Sequence, residues 1–229
     1  MLVPVKIWLS FAMRMAAFSV VLLWPAGTWR WFEAWVVIGL WSAWGIAIII
    51  LLSRHDPELL AERLKSNLIQ KEQKSWDKIL MLLMFFTGLG IYIIPGLDVV
   101  RFEWSKPLPI WIQVIAMAMH LPGFLFLGWI MLTNTYLSPV VKIDKSRNHR
   151  VISNGPYAIV RHPMYTVVII LVFAVPLALG SRFALIPAIL IALIFIVRTC
   201  FEDRTLHAEL PGYPGYANKT RYRLIPGIW

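Results

Sequence analysis

Two short stretches hold residue types that could do chemistry. The first, "NGPYAIVRHPMY" at 154–165, sets a turn, Arg161, His162 and two tyrosines directly before an apolar run. The second, "IVRTCFEDR" at 196–204, ends another apolar run with Arg198 and Glu202 four residues apart, so both lie on one helical face. In the first stretch, Gly155-Pro156 marks a turn. Pro163 suits the first position of a helix, where open N–H groups favour an anion. Arg161 and His162 add positive charge, and Tyr157 and Tyr165 add flat faces. Such a corner suits a ligand with a carboxylate at one end and a heteroaromatic ring at the other. It suits equally well a basic loop touching lipid phosphates. In the second stretch, a carboxylate could bind a ribose hydroxyl or an ammonium, and an arginine could hold an anionic substrate. The alternative is an ion pair across one helical turn. No metal site is expected.

The elements that must carry these stretches are membrane helices. Of 229 residues, 59% are hydrophobic and 15% charged, against about 45–50% and about 25% in soluble domains. The apolar residues gather into runs near the roughly 20 residues that cross a bilayer. The fold class is therefore all-α: a polytopic bundle of five to six transmembrane helices, expected at about 5–25, 30–52, 78–98, 108–136, 165–180 and 183–204. The fifth is short for a full crossing. It pairs with the sixth as a hairpin around Gly180-Ser181-Arg182. The start of the chain reads as a retained first helix, not a cleaved signal. The 12 Trp fit interfacial anchoring, and the single Cys200 excludes an internal disulfide.

Between the second and third runs, Asp56 is placed to cap a helix that begins at Pro57. Leu60, Leu64 and Leu68 repeat every four residues, so an amphipathic surface helix is expected over about 56–72. Arg14, Glu33 and His120 lie in or near spans. They read as groups that snorkel or satisfy backbone, not as a proton relay. The net charge is +10. With no long basic arm, it points to anionic lipid headgroups and not to nucleic acid. Segments 53–78, 138–165 and 198–223 hold 16 of the 22 Lys and Arg. Six crossings bring all three to one side, the cytoplasmic side by the positive-inside rule. The expected organisation is an N-terminal membrane part, 1–133, and a functional region, 134–229, holding a loop, a helical hairpin and a tail.

At "GPYAIVRHPMY", the acidic pair Glu202-Asp203 and the tail "LPGYPGYANKTRYRLIPGIW", the sequence resembles the isoprenylcysteine carboxyl methyltransferase family. That branch of membrane methyltransferases also includes phospholipid N-methyltransferases. The resemblance runs from about Asn134 to Trp229. It implies S-adenosylmethionine held beneath the membrane surface without a Rossmann fold, and the chain has no G-x-G-x-x-G after a strand. It also implies cofactor contacts from Lys142, His149, Arg150, Val151, Ile152, Tyr157, His162, Pro163, Met164, Tyr165 and Glu202. Arg198 falls where the family has an arginine that orients the acceptor, so Arg198 and Glu202 are the implied catalytic pair. Many relatives carry Glu-Glu where this chain has Glu202-Asp203, which leaves the role of Asp203 open. The implied partners are a lipophilic or lipid acceptor and membrane lipids, in the inner membrane of a bacterium. The implied acceptor is a carboxylate or thiol. Alternatives are phospholipid N-methylation and an NADPH-dependent reductase of the membrane sterol type, whose RHPNY segment differs here at Met164. The oligomeric state is not legible.

The topology has a direct test. Cysteines placed at Ser146 and Asn218 in a Cys200-free background are expected to label from the same side. Labelling from opposite sides would overturn it.

Overall fold

A computed structural model of the chain describes residues 3–64, 70, 73–143 and 149–229. Every regular element among them is helical: α1 (Val5–Ala26), α2 (Phe32–His55), α3 (Pro57–Leu64), α4 (Ser75–Pro95), α5 (Ile110–Thr133), α6 (Pro163–Ala178), α7 (Leu185–Glu209) and α8 (Tyr213–Lys219). A helix is present at each of the six expected positions. Five are long and apolar enough to cross a membrane, and Pro163–Ala178 is the shorter apolar helix. This is a multi-pass membrane helix bundle. Lys65, Leu68, Lys71, Lys145, Ser146 and Arg147 lie outside the described residues, as does the later part of the amphipathic stretch.

Local sequence explains the boundaries. The Asp56 carboxylate accepts the Leu59 amide at 2.9 Å and so caps α3. Its inward residues Leu59 and Leu60 are buried against Ile49, Leu52 and Met131. At the end of α1, Gly27 closes the helix at φ 69, with its N–H bonded to the Trp24 carbonyl. After Pro95, α4 widens into a π-helical turn, Gly96–Arg101. That turn buries Asp98, which receives the Ser181 hydroxyl at 2.6 Å and the Ser105 hydroxyl at 3.1 Å. The hairpin turn around Gly180 is thereby fixed to α4. It is also fixed to the approach to α5, because Leu108 N–H donates to the Gly180 carbonyl at 2.9 Å.

Arg14 and His120 each reach a backbone carbonyl. Arg14 reaches out of α1 to the Leu64 carbonyl at 2.8 Å, which closes the end of α3. His120 bonds through Nδ1 to the Ala116 carbonyl, 2.9 Å away in its own helix.

Within the bundle α5 packs chiefly on α6, and α4 on α7. The 16 residues of α6 rise about 24 Å at about 1.5 Å each, less than a hydrocarbon core of about 30 Å. In contrast, α7 runs seven residues beyond Glu202, from 203 to 209. The start of α6 is thus recessed between longer neighbours. The same end of the bundle holds α3, the described residues of 134–162 and α8. The described parts of the basic segments meet there, with Lys142 paired to Glu62, Lys74 to Glu209 and Arg161 to Asp203.

Gly96 sets how closely α1 approaches α4. A Cβ at this position would stand 2.8 Å from the Ala26 backbone nitrogen and 3.1 Å from its Cα. Backbone cannot swing aside as a side-chain tip can. Gly96→Val is expected to cost about 1–3 kcal/mol, the usual cost of overpacking, read as a lowered melting temperature in detergent. An unchanged melting temperature would contradict this packing.

Candidate active site

The recessed start of α6 opens into a cleft whose enclosed volume is about 100 Å3. The segment 134–142 and residues 149–152 form one wall. Tyr157 and the start of α6 form the floor. Glu202, Leu206 and Leu210 form the other wall, with Tyr213 and Tyr216 at the side. All eleven residues expected to contact a cofactor line it: Lys142, His149, Arg150, Val151, Ile152, Tyr157, His162, Pro163, Met164, Tyr165 and Glu202. Arg198 does not.

Glu202 projects from α7 into the cleft, and its carboxylate accepts the Tyr165 hydroxyl. The Tyr165 ring stacks beside His162 at 5.8 Å, nearly parallel. Across the cleft, Tyr136 and His149 stack at 4.6 Å. Tyr157 is buried at the floor, and its hydroxyl receives the Asn134 amide at 2.9 Å. Burial pushes its pKa up, so the phenol stays protonated. The walls are therefore aromatic and aliphatic, with carboxylate, phenol and amide groups at a few fixed points.

The basic residues are less available than their charges suggest. Arg161 is buried, with Nε 2.8 Å from Asp203 Oδ1 and Nη2 2.9 Å from Oδ2. Its Nη1 donates to the Thr220 and Arg221 carbonyls at 3.0 and 2.8 Å. Burial acts to lower its pKa, but Asp203 outweighs that and raises it. The Arg161 and His162 amides donate to the Tyr222 and Arg223 carbonyls, both at 2.9 Å. The Arg161 side chain and the Arg161 and His162 amides are therefore occupied by Asp203 and the tail. Lys142 is likewise neutralised, 2.9 Å from Glu62. Arg150 is exposed at the rim.

Asp203, whose role the sequence left open, is the centre of this arrangement. Only 2% exposed, it accepts from Arg161, from Tyr213 Oη at 2.8 Å and from Arg223 Nε at 2.9 Å. His162 Nε2 stands 3.4 Å away. A buried carboxylate with this many donors holds three segments together: the RHPMY turn, α7 and the tail. Its signal in the sequence was an acid at an apolar helix end, together with "TRYR" downstream.

Arg198 is buried behind Tyr165. Its Nε donates to Asp77 Oδ1 at 2.8 Å and its Nη2 to the Pro139 carbonyl at 2.9 Å. Its guanidinium lies 5.3 Å from the Tyr165 ring centre. Asp77 in turn accepts the Val141 amide at 2.9 Å and the Gln73 side chain at 2.8 Å. The spacing in sequence suggested Glu202 as the partner, but the ion pair is made with α4. Arg198 thereby holds the wall segment 139–141 in place.

The sequence pattern of the isoprenylcysteine carboxyl methyltransferase (ICMT) family matches residues 114–208, from within α5 to near the end of α7. That stretch, less than half of the chain, includes the cleft's floor and most of both main walls. No curated protein matches the chain.

The two neighbouring acids should behave differently. Asp203→Asn leaves two guanidinium groups short of their counter-charge, and breaking a buried pair costs about 3–5 kcal/mol. Glu202→Gln keeps a hydrogen-bonding group beside Tyr165. Melting temperatures are expected to fall far more for Asp203→Asn than for Glu202→Gln. Equal losses would contradict the division between an anchoring acid and a ligand-facing one.

Proposed function

We propose that the chain is an S-adenosylmethionine-dependent methyltransferase acting on a lipophilic carboxylate or thiol, with residues 134–229 as its catalytic region. The observation that carries this reading is the Glu202 carboxylate, fixed by Tyr165 and facing a cleft with aromatic walls at the membrane boundary. S-adenosylmethionine would supply a methyl group on a positively charged sulfur. The residues suit its parts. Glu202 can accept a ribose hydroxyl or the ammonium. Tyr157, His162 and Tyr165 offer flat or cation-attracting faces. The backbone of 149–152 offers hydrogen bonds, as on the floor does Met164, and the Pro163 ring borders the same space.

A carboxylate or thiolate is already nucleophilic, so no side chain has to remove a proton. The protein's contribution is then alignment of the two reactants and exclusion of water by the helices and the pinned tail. An amine acceptor would require a base placed to take its proton. Arg198 serves by position: it steadies Tyr165 and the wall, and does not itself meet the acceptor. By the positive-inside rule, the basic end of the bundle that bears the cleft faces the cytoplasm. Anionic lipids around it fit the +10 net charge.

Calorimetry on the purified protein, offering S-adenosylmethionine and NADPH separately, tests the cofactor. Binding is expected for the first and not the second. Tyr157→Ala and Glu202→Gln are each expected to weaken it about tenfold, since a hydrogen bond to a charged group is worth about 1.5–3 kcal/mol. Binding of NADPH in place of S-adenosylmethionine would replace this reading by the reductase one.

A further inference from the structure

The direction of one hydrogen bond at the cleft floor decides what Tyr157 can offer a ligand. Asn134 closes the end of α5, with its N–H bonded to the Ile130 carbonyl at 3.0 Å. Its side-chain oxygen accepts the Tyr136 amide at 2.9 Å. A backbone N–H can only donate, so this contact settles which end of the Asn134 side chain is oxygen. The other end is the NH2 group, and it donates to the Tyr157 hydroxyl oxygen at 2.9 Å. An amide NH2 accepts nothing. The Tyr157 O–H hydrogen therefore points away from Asn134. Both residues line the cleft.

The surroundings of Tyr157 keep it in this pose. It sits in the short turn Gly155–Ala158, which packs on the end of α5. Its carbonyl accepts the Tyr216 hydroxyl at 2.7 Å and the Thr220 hydroxyl at 3.4 Å. Burial keeps the phenol protonated, and so a donor. Tyr136, whose amide orients Asn134, stacks on His149. One carboxamide thus orders aromatic residues on the wall and on the floor.

A neutral donor has a distinct use here. The buried cations at the cleft are held by acids of the chain, Arg161 by Asp203 and Lys142 by Glu62. Arg150 stays at the exposed rim. Glu202 presents acceptor oxygens from the facing wall. A carboxylate entering the cleft must then find hydrogen-bond donors elsewhere, because a charge leaving water without them is costly.

We propose that Asn134 is a positioning residue: by donating to the Tyr157 oxygen it turns the Tyr157 O–H into the cleft, where that hydrogen is given to the carboxylate of S-adenosylmethionine. The identity of the ligand rests on the methyl-transfer reading. The direction of the phenol does not.

Calorimetry on the purified full chain in detergent tests the contact, with S-adenosylmethionine and its decarboxylated analogue as probes. The wild type is expected to bind the carboxylate-bearing probe about tenfold more tightly, the effect of one hydrogen bond to a charged group. Tyr157→Phe keeps the ring and removes the O–H, and is expected to lose most of that preference. Asn134→Asp has nearly the same shape and still accepts the Tyr136 amide, but an ionised carboxylate has no hydrogen to give. The Tyr157 O–H then turns to the new carboxylate, and the preference is expected to be lost. Repulsion by the added charge is separated by making the same change in Tyr157→Phe. There it is expected to shift the preference by no more than about twofold, since the two residues act through one bond. An equal shift in both backgrounds would overturn the positioning role. An unchanged preference in Tyr157→Phe would overturn the carboxylate contact. Equal affinity of the wild type for the two probes would overturn the proposal and leave the methyl-transfer reading standing. Failure of the wild type to bind either probe would overturn that reading, and the proposal with it. If Asn134→Asp melts early, Asn134→Ala decides: the full preference at the wild-type melting temperature overturns the positioning role, and a partial loss supports it.

Discussion

The buried carboxylate of Asp203 is the constraint on which the site depends. It lies on α7, yet its donors come from the turn before α6, from α8 and from the tail. Without it, two arginines would be brought together with no counter-charge in a poorly solvated place. With it, the RHPMY turn and the tail become one unit. The backbone follows: the amides of Arg161 and His162 reach tail carbonyls, and the Thr166 hydroxyl reaches Leu224. A second buried pair, Arg198 with Asp77, performs the same service on the other side of Tyr165. These two buried ionic clusters frame the floor of the cleft and leave Glu202 as the acid that faces into it.

The second constraint is length. Because α6 is too short to reach the level of its neighbours, the cleft floor is sunk into the bundle instead of standing on its surface. The α6 helix itself is strongly apolar, whereas the cleft above it is polar and aromatic. Reactants of opposite character can therefore meet there, a water-soluble one from the basic end and a lipophilic one from the side of the bundle. Keeping the site between these phases lets the protein supply alignment and dryness without an elaborate set of acids and bases.

Much of this architecture was legible in the sequence, because long apolar runs and their basic flanks report directly on the membrane. The six spans, the Asp56 cap and the hairpin turn at Gly180 follow from local rules. So does the list of cleft-lining residues, which are concentrated in two motifs. What spacing alone could not give was pairing between distant segments. Arg198 and Glu202 share a helix face, but Arg198 finds Asp77 on α4. Lys142 lines the cleft, and Glu62 on α3 holds it. Arg161 looked like an anion receiver, yet Asp203 and the tail carbonyls use its donors. In each case the pairing has one physical source. A charged group near a membrane is expensive to leave unpaired, so the folded chain supplies partners that no local pattern displays.

The most direct test of the account is where a methyl group goes. The purified protein in lipid nanodiscs would be given S-adenosylmethionine with an isotope-labelled methyl, together with a native lipid extract. The account predicts label in an extractable lipophilic product, on a carboxylate as an alkali-labile ester or on a thiol as a stable thioether, and loss of that label in Glu202→Gln. Label found on an amine headgroup, or no transfer by a protein that binds the cofactor, would contradict it.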